Sequence, residues 1–380
     1  MKLKRLMAVA LSCCMIAGVA GCGGSEETAP AENEAEESSE ADEAETKVIV
    51  DHTGEEVVIP AHPEKVAIVS VWPLPSVYCL FRGSTEGLVG MHPSAMAAAE
   101  NSYLATVFPE IKDVDTSFVE NDAINIEQLM ALEPDVVFYN SGTPSEKEML
   151  DAAGLCGVGF STAIADHNTI ETYAAWIDLL GQIFGESEKA DAIIEYGRSV
   201  EAEIKEKVAE IPEEEKPNVL ILFNYDNGKI KTSGNDFFGQ YWIDTAGGIN
   251  VAKDLTGRPE INMEQIYEWN PDMIFITNFS PVLPEDLYNN TIEGNDWSQV
   301  KAVQDHKVYK FPLGMYRWFP PSSDTPLSLM WLAKHIQPET FEYIDMDQEI
   351  KDYYKEYYKV ELTDDDVQTI YNPAREASGK

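Results

Sequence analysis

The sequence INIEQLMALEPDVVF at Ile124–Phe138 recurs in altered form as INMEQIYEWNPDMIF at Ile261–Phe275. In each copy an asparagine precedes apolar residues at helical spacing, which predicts a capped helix. The residue before the proline is disfavoured in a helix, so the helix should end there. The β-branched and aromatic residues after Pro-Asp predict a short buried strand. Two such helix–strand units in one chain predict an α/β fold built from two sandwich lobes.

The rest of the folded part contains further strand patterns and one long helix. Two β-rich runs around Thr53-Gly54 predict a hairpin at Lys47–Pro60. The stretch Glu188–Ile211 predicts a helix roughly 35 Å long, capped by Ser187 and ended by Pro212. We therefore expect an N-terminal lobe (47–186), a linking helix (187–211) and a C-terminal lobe (212–380). Other inner strands are predicted at Val66–Val71, Leu88–Met91, Val219–Phe223 and Lys307–Phe311.

The N-terminus predicts export. Lys2, Lys4 and Arg5 precede an almost wholly apolar stretch and then small residues, which is typical of a secretory signal peptide over residues 1–21. The apolar stretch is too short to span a bilayer, which takes about 20 residues. Residues 23–46 contain no aromatic residue, valine, isoleucine or leucine and many acids, so residues 22–46 should form a disordered acidic tether.

The end of the signal predicts a lipid anchor. Val19-Ala20-Gly21-Cys22 resembles the bacterial lipoprotein signal. The resemblance implies that lipid is added to Cys22 and that the chain is cut before it, which would leave the protein extracytoplasmic and anchored to the cell membrane. Ordinary cleavage that leaves Cys22 free is the alternative. The tether favours anchoring, because a solvated spacer gives an anchored domain its reach.

The chain is strongly acidic, with 67 Asp and Glu against 27 Lys and Arg and a net charge of −40. Removing the signal peptide would take away three bases and no acid, so the mature chain would be more negative still. This balance argues against nucleic acid and anionic membrane surfaces as partners, because both bind positive patches. It does not restrict the charge of a small ligand.

Several further stretches give the folded part a family resemblance. They are Val57-x-Ile59-Pro60 with Pro63–Val66, the two repeated copies, GGINVA at Gly247–Ala252, and Asp296–Val303 with Lys307–Tyr309. In this order they resemble the class III, cluster A substrate-binding proteins of ABC importers, which include receptors for ferric siderophores, haem and cobalamin. The resemblance covers about Lys47–Phe341. It implies two α/β lobes, a rigid linking helix, a ligand in the cleft between the lobes, and delivery of that ligand to a permease and its ATPase. We expect a monomer.

The resemblance also implies that one glutamate in each lobe contacts arginines of the permease. By their place in the repeated motif these are Glu127 and Glu264. Each lies in the first turn of a predicted helix, where a negative charge is favoured. The alternative is that both are ordinary surface acids.

Candidate ligand contacts follow the inner strands, because open α/β sheets bind ligands at the carboxyl ends of their strands. They form an aromatic-rich surface with few charges, which suits a flat or hydrophobic metal chelate. Arg317 could pair with an anionic group of the ligand or with a neighbouring acid. Trp72 could instead be a core aromatic, and Phe237 and Phe238 line either the cleft or the C-terminal core. The predicted contacts are Trp72, Tyr139, Asn140, Asn224, Tyr225, Asn278, Tyr316, Arg317 and Trp318.

The sequence argues against a cofactor, a resident metal and an enzyme. None of the six histidines forms a close pair, although His92 could face the cleft. Cys79 and Cys156 lie in apolar surroundings and are predicted to be buried thiols, with a disulfide as the alternative. No Walker loop, GxSxG or HExxH motif is present, so an enzyme on a two-lobed frame is a distant alternative, as is an adhesion or structural lipoprotein. We expect a ferric siderophore or haem as the ligand, with cobalamin, molybdate or tungstate as alternatives.

Overall fold

The computed structural model describes residues 45–378, apart from residues 122 and 227. The predicted signal peptide, Cys22 and nearly all of the predicted tether lie outside the described residues. The tether was expected to extend to residue 46, but Thr46 already begins the first strand. Within the described range, no helix combines the length and the apolar character needed to cross a membrane.

The N-terminal lobe is built on a parallel sheet. It opens with the predicted hairpin, whose two strands pair antiparallel. Four later strands form the sheet in the order β4-β3-β7-β8, and all neighbours are parallel. The elements are β1 (Thr46–Val50), β2 (Glu56–Pro60), β3 (Val66–Ile68), α1 (Leu74–Arg82), β4 (Leu88–Met91), α2 (Pro93–Glu100), α3 (Leu104–Val107), β5 (Val119–Glu120), β6 (Ala123–Ile124), α4 (Ile126–Ala131), β7 (Val136–Asn140), α5 (Pro144–Ala152), β8 (Gly157–Phe160) and α6 (Thr169–Phe184).

One long helix, α7 (Ser187–Val208), leads from this lobe to the next. It ends three residues before the predicted Ile211, and its 22 residues span roughly 33 Å. Lys205 and Lys207 lie in its last turn, where positive charge is favoured. The helix packs along α6, and a side chain at Gly181 of α6 would collide with that of Ala190 in α7.

The C-terminal lobe repeats the architecture. Its main sheet has the order β12-β9-β14-β15 with parallel neighbours, and a small antiparallel sheet has the order β10-β11-β13. The elements are β9 (Asn218–Leu222), β10 (Asn224–Asp226), β11 (Lys229–Lys231), α8 (Phe238–Thr245), β12 (Ile249–Asn250), β13 (Glu260–Ile261), α9 (Met263–Trp269), β14 (Met273–Ile276), α10 (Pro284–Tyr288), α11 (Lys301–Gln304), β15 (Val308–Lys310), α12 (Thr325–Ile336), α13 (Met346–Tyr358) and α14 (Asp364–Tyr371).

The two copies of the repeated motif have the same structure. Asn125 caps α4 and Asn262 caps α9, each by accepting a hydrogen bond from a backbone N–H of the first turn. The strand that follows, β7 or β14, lies inside its sheet. The repeated aspartate also has a shared role. Asp135 accepts hydrogen bonds from the backbone N–H groups of Glu64 and Lys65, and Asp272 accepts one from Asn218, so each carboxylate holds the start of the neighbouring strand. The predicted two-lobed α/β fold is confirmed.

Candidate functional site

The segment after β15 lies where the two lobes meet. This crossing loop, residues 311–324, is buried along its whole length. The backbone N–H of Tyr103 donates to the carbonyl of Gly314 at 2.7 Å, and the Ser102 hydroxyl donates to the carbonyl of Met315 at 3.1 Å. The N–H of Ser323 lies 3.4 Å from the hydroxyl oxygen of Ser76 in α1. The crossing loop is therefore bonded to α1 and to the connection between α2 and α3 of the N-terminal lobe, and we refer to this junction as the floor of the cleft.

A buried carboxylate shapes the crossing loop. Asp324 is fully buried, and its Oδ2 accepts hydrogen bonds from the N–H of Met315 at 2.6 Å and from Nε1 of Trp318 at 3.0 Å. A side chain at Gly314 would collide with the same carboxylate, so only glycine fits there. These contacts bracket Arg317 on both sides and fix the backbone that carries it.

The C-terminal lobe places two guanidinium groups on a group of phenylalanine rings. We call Phe223, Phe237, Phe238, Phe279 and Phe319 the phenylalanine cluster; its ring centroids lie 4.7 to 6.2 Å apart in neighbouring pairs. The Arg317 side chain is buried, with Cζ 4.4 Å from the ring centroid of Phe279. Arg258 is exposed, with Cζ 5.5 Å from the ring of Phe223 and 5.4 Å from that of Phe237. Burial lowers the pKa of Arg317, which marks a cation with little access to water.

The N-terminal lobe contributes an exposed aromatic surface at the same ends of its strands. Trp72 follows β3, is 38% exposed and stacks on His92, which follows β4, with ring centroids 5.4 Å apart. Trp72 is therefore a surface residue and not a core aromatic. Asn140 at the end of β7 is half-buried, and its backbone N–H donates to the hydroxyl of Ser70 at 2.8 Å.

Phe237 and Phe238 lie at the junction of the lobes. His167, from the connection between β8 and α6, approaches Phe238 at 5.5 Å and Phe237 at 5.9 Å between ring centroids. Phe238 is buried and Phe237 is half-buried. Phe238 belongs to the hydrophobic core, and Phe237 packs against that core.

Three predicted contacts lie in the lobe cores and not on the cleft surface. Tyr139 is 1% exposed and belongs to a core cluster with Val137 and Leu150, because alternate residues of β7 point to opposite faces of the sheet. Tyr225 is buried against Trp297, with ring centroids 5.8 Å apart. Trp318 is fully buried, and its indole nitrogen donates a hydrogen bond to the buried carboxylate of Asp324.

Three further predicted contacts hold or pack against the segments that form the floor of the cleft. The Asn278 amide donates to the carbonyls of Phe311 and Pro312, both at 2.9 Å, and so joins the end of β14 to the crossing loop. The Asn224 amide donates to the carbonyl of Phe279 at 2.6 Å and holds the residue on which Arg317 stacks. Tyr316 is buried, with its ring 5.9 Å from Cζ of Arg317.

Sequence reasoning missed Arg258 and Phe279. Arg258 follows Thr256-Gly257 and precedes Pro259, a turn signal that could have marked it as a loop cation. Phe279 directly follows the predicted contact Asn278. The expectation that ligand contacts follow the inner strands therefore selected the neighbouring residue. Among the described residues, no group of three His, Cys, Asp or Glu side chains could hold a metal ion.

Glu127 and Glu264 occupy equivalent, exposed positions. Each lies in the first turn of its helix, α4 or α9, directly after the first helical residue. Within the described part of the chain, neither takes part in an ion pair. Both carboxylates are therefore accessible to a partner. Cys79 and Cys156 are free thiols, the first buried and the second half-buried.

Comparisons with known proteins agree with this architecture. A family model described as periplasmic binding protein matches residues 87–313. The crystal structure of a periplasmic solute-binding protein from Veillonella parvula is 36% identical, covers 86% of this chain and 97% of its own, and superimposes with a TM-score of 0.78. The molybdate-binding protein MolA of Haemophilus influenzae is 23% identical over 84% of this chain and 93% of its own length. Its molybdate-bound structure gives a TM-score of 0.71.

A third relative is the iron(3+)-hydroxamate-binding protein YxeB of Bacillus subtilis, 22% identical over 67% of this chain and 74% of its own length. The family match spans more than half of the chain and includes both repeated motifs and the crossing loop up to Leu313. It agrees with the two parallel sheets and the single long helix between them. The chain belongs to the periplasmic binding protein family, as the solute-binding protein of an ABC transporter.

Proposed function

We propose that the protein captures an anionic metal chelate, a ferric siderophore or haem, in the cleft and delivers it to its permease. The observation that carries the proposal is a pair of guanidinium groups on the phenylalanine cluster: that of Arg258 is exposed, and that of Arg317 is buried 4.4 Å from the ring of Phe279. A cation with little access to water attracts an anionic group more strongly than a solvated one does. A planar guanidinium also binds carboxylate and catecholate oxygens in pairs.

The aromatic surfaces support a chelate with flat or apolar parts. Trp72 is exposed on the N-terminal lobe, and Phe237 and Phe279 are the half-buried members of the phenylalanine cluster on the C-terminal lobe. Small-molecule sites are mostly apolar with a few placed polar groups, which matches this distribution. The relative YxeB is named for an iron(3+)-hydroxamate, a ligand of this chemical class.

Molybdate is the second candidate, and the pair of arginines favours it. Arg258 and Arg317 stack on Phe223 and Phe279, whose ring centroids are 5.1 Å apart. Two guanidinium groups on adjoining rings could share a small oxyanion. The relative MolA is named for molybdate. A small oxyanion would bind to Arg258 and Arg317 without contacting Trp72, whereas a metal chelate would contact the arginines and Trp72.

A thermal-shift screen of the purified protein tests the proposal. The compounds are a ferric hydroxamate, a ferric catecholate, haem, cobalamin and molybdate. A compound at 100 times its Kd raises the free energy of unfolding by about 2.7 kcal/mol, which gives a clear shift in Tm. We expect a shift with an iron chelate, reduced in both Trp72→Ala and Arg317→Gln. Tyr267→Ala is the matched control, since Tyr267 is 40% exposed on α9, away from the crossing loop.

The variants separate the two candidates. A shift with molybdate that needs Arg317 but not Trp72 would replace the chelate by the oxyanion. If none of the compounds shifts the Tm, the solute belongs to neither class. If a chelate binds equally well to both variants, the cleft floor is not its site.

A further inference from the structure

A cavity of about 940 Å³ opens in the C-terminal lobe beside the edge strand β15. Its walls also come from the end of α12, the segment before α13 and the end of α14. None of its lining residues is among the predicted solute contacts or the phenylalanine cluster. Its volume falls within the range of roughly 300–1,000 Å³ found for pockets that hold small molecules. The lobe therefore contains a second place in which a small molecule fits.

Aromatic rings form much of the cavity wall. The His335 ring packs 4.4 Å from that of Trp331 and 4.6 Å from that of Tyr309, measured between centroids. The rings of Tyr288 and Tyr371 line the cavity as well. The face of an aromatic ring carries partial negative charge and attracts a cation within about 6 Å.

The charged groups of the wall add to this negative character. Four carboxylates line the cavity, those of Glu285, Glu342, Asp345 and Asp347. Two lysines line it too, and their ammonium groups donate to backbone carbonyls. Lys310 donates to Thr277, Ser280 and Val282, and Lys334 donates to Ile344. Because four carboxylates stand against two ammonium groups, the wall has an excess of negative charge.

His335 is neutral at pH 7 and presents an acceptor. Its Nδ1 donates to the carbonyl of Trp331 at 2.8 Å, so Nε2 is left as the lone-pair nitrogen. Burial lowers the pKa of the ring, which keeps it uncharged. It can therefore accept a hydrogen bond from a cation without repelling it.

We propose that this cavity binds a small organic cation, an alkylammonium or quaternary ammonium group of a metabolite. A metal ion does not fit the same wall, because no three of the described His, Cys, Asp and Glu side chains come close enough to hold one. Carboxylates spread around a ring-lined space of this size match a larger and softer cation instead. The site lies outside the cleft, so occupancy of the two is separable.

Isothermal titration calorimetry of the purified protein tests the proposal. The probes are choline, tetramethylammonium and spermidine, with 3,3-dimethylbutan-1-ol as the uncharged isostere of choline. We expect at least one cation to bind and the neutral alcohol not to bind. The double variant Glu342→Gln/Asp347→Asn keeps the size of both side chains and should weaken the binding of that cation by about tenfold or more.

Two controls locate the effect. Glu339→Gln removes a charge from an exposed position of the same lobe outside the cavity and should leave the affinity unchanged. Trp72→Ala alters the exposed aromatic surface of the other lobe and should also leave the affinity unchanged. No binding by any of the three cations, equal binding by the alcohol, or equal loss in Glu339→Gln would overturn the proposal. A loss only in Trp72→Ala would assign the cation to the cleft instead.

Discussion

Asp324 is the residue on which the geometry of the cleft floor depends most directly. Its carboxylate is fully buried, yet it accepts two hydrogen bonds from inside the crossing loop. Burial raises its pKa from 3.8 to about 7. An unfolded chain would release this proton near pH 4, whereas the folded protein holds it until near pH 7. The folded state therefore loses stability from this group as the pH rises through that window.

The variant Asp324→Asn should remove this pH dependence. An amide oxygen can still accept from Met315 and Trp318, and it carries no charge to desolvate. We expect the variant to unfold at similar denaturant to the native protein at pH 4, where both groups are neutral, and at higher denaturant at pH 8, where only the native group is charged. Urea titrations at several pH values measure this, with Asp254→Asn as an exposed control. Parallel curves for native protein and Asp324→Asn would contradict the assignment.

At single residues, the sequence predicted the strand ends but not the direction of each side chain. Asn140 and Tyr139 are neighbours, and only the first faces the cleft side, because β7 alternates its faces. Trp318 was predicted to contact the ligand, but it is fully buried. In the fold, Trp318 bonds to Asp324 and packs against Trp331 of α12. A local sequence pattern does not reveal either contact.

At the scale of elements, the repeated helix–strand unit was predictable because each of its signals is local. The cap, the proline stop and the buried strand all depend on residues within one unit. Glu133 and Asn270, the residues before the two prolines, both adopt left-handed backbone angles, which ends the helix as expected. What the sequence left out is the tertiary role of the repeated aspartate, which bonds to a strand roughly 55 to 70 residues away in the chain.

The same unit carries the proposed docking acids. We predict that Glu127→Ala combined with Glu264→Ala leaves solute binding unchanged and abolishes most of the uptake, since both carboxylates are exposed and neither belongs to the predicted solute contacts. Binding is measured by thermal shift with the compound identified in the screen, and uptake in cells that carry the whole transporter. Glu148→Ala with Glu268→Ala removes one exposed charge from each lobe and is the matched control. Loss of binding, or equal loss of uptake in the control, would refute docking through these residues.

At the scale of the whole molecule, the proposed lipid anchor and the folded domain are joined by a stretch of acidic chain that reaches the first hairpin at Thr46. We predict that Cys22→Ala moves the protein from the membrane fraction to the soluble fraction and removes fatty-acid labelling. Cys14→Ala is the control, because that residue would leave with the signal peptide. A labelled, membrane-bound Cys22→Ala chain would show that Cys22 is not the site of attachment.

The helix α7 limits the conformational change by which the receptor could signal to the transporter that a solute is bound. One continuous helix of 22 residues, packed along α6 and in contact with α12, joins the lobes, and the crossing loop is bonded to the N-terminal lobe at several points. Two bodies connected in this way have little freedom to swing shut around a captured molecule. Occupancy would then be reported by the bound molecule itself, as a change in the shape and charge of the exposed cleft surface. The permease would then recognise the bound molecule directly. Release of that molecule would be driven by conformational change in the transporter and not by opening of the receptor.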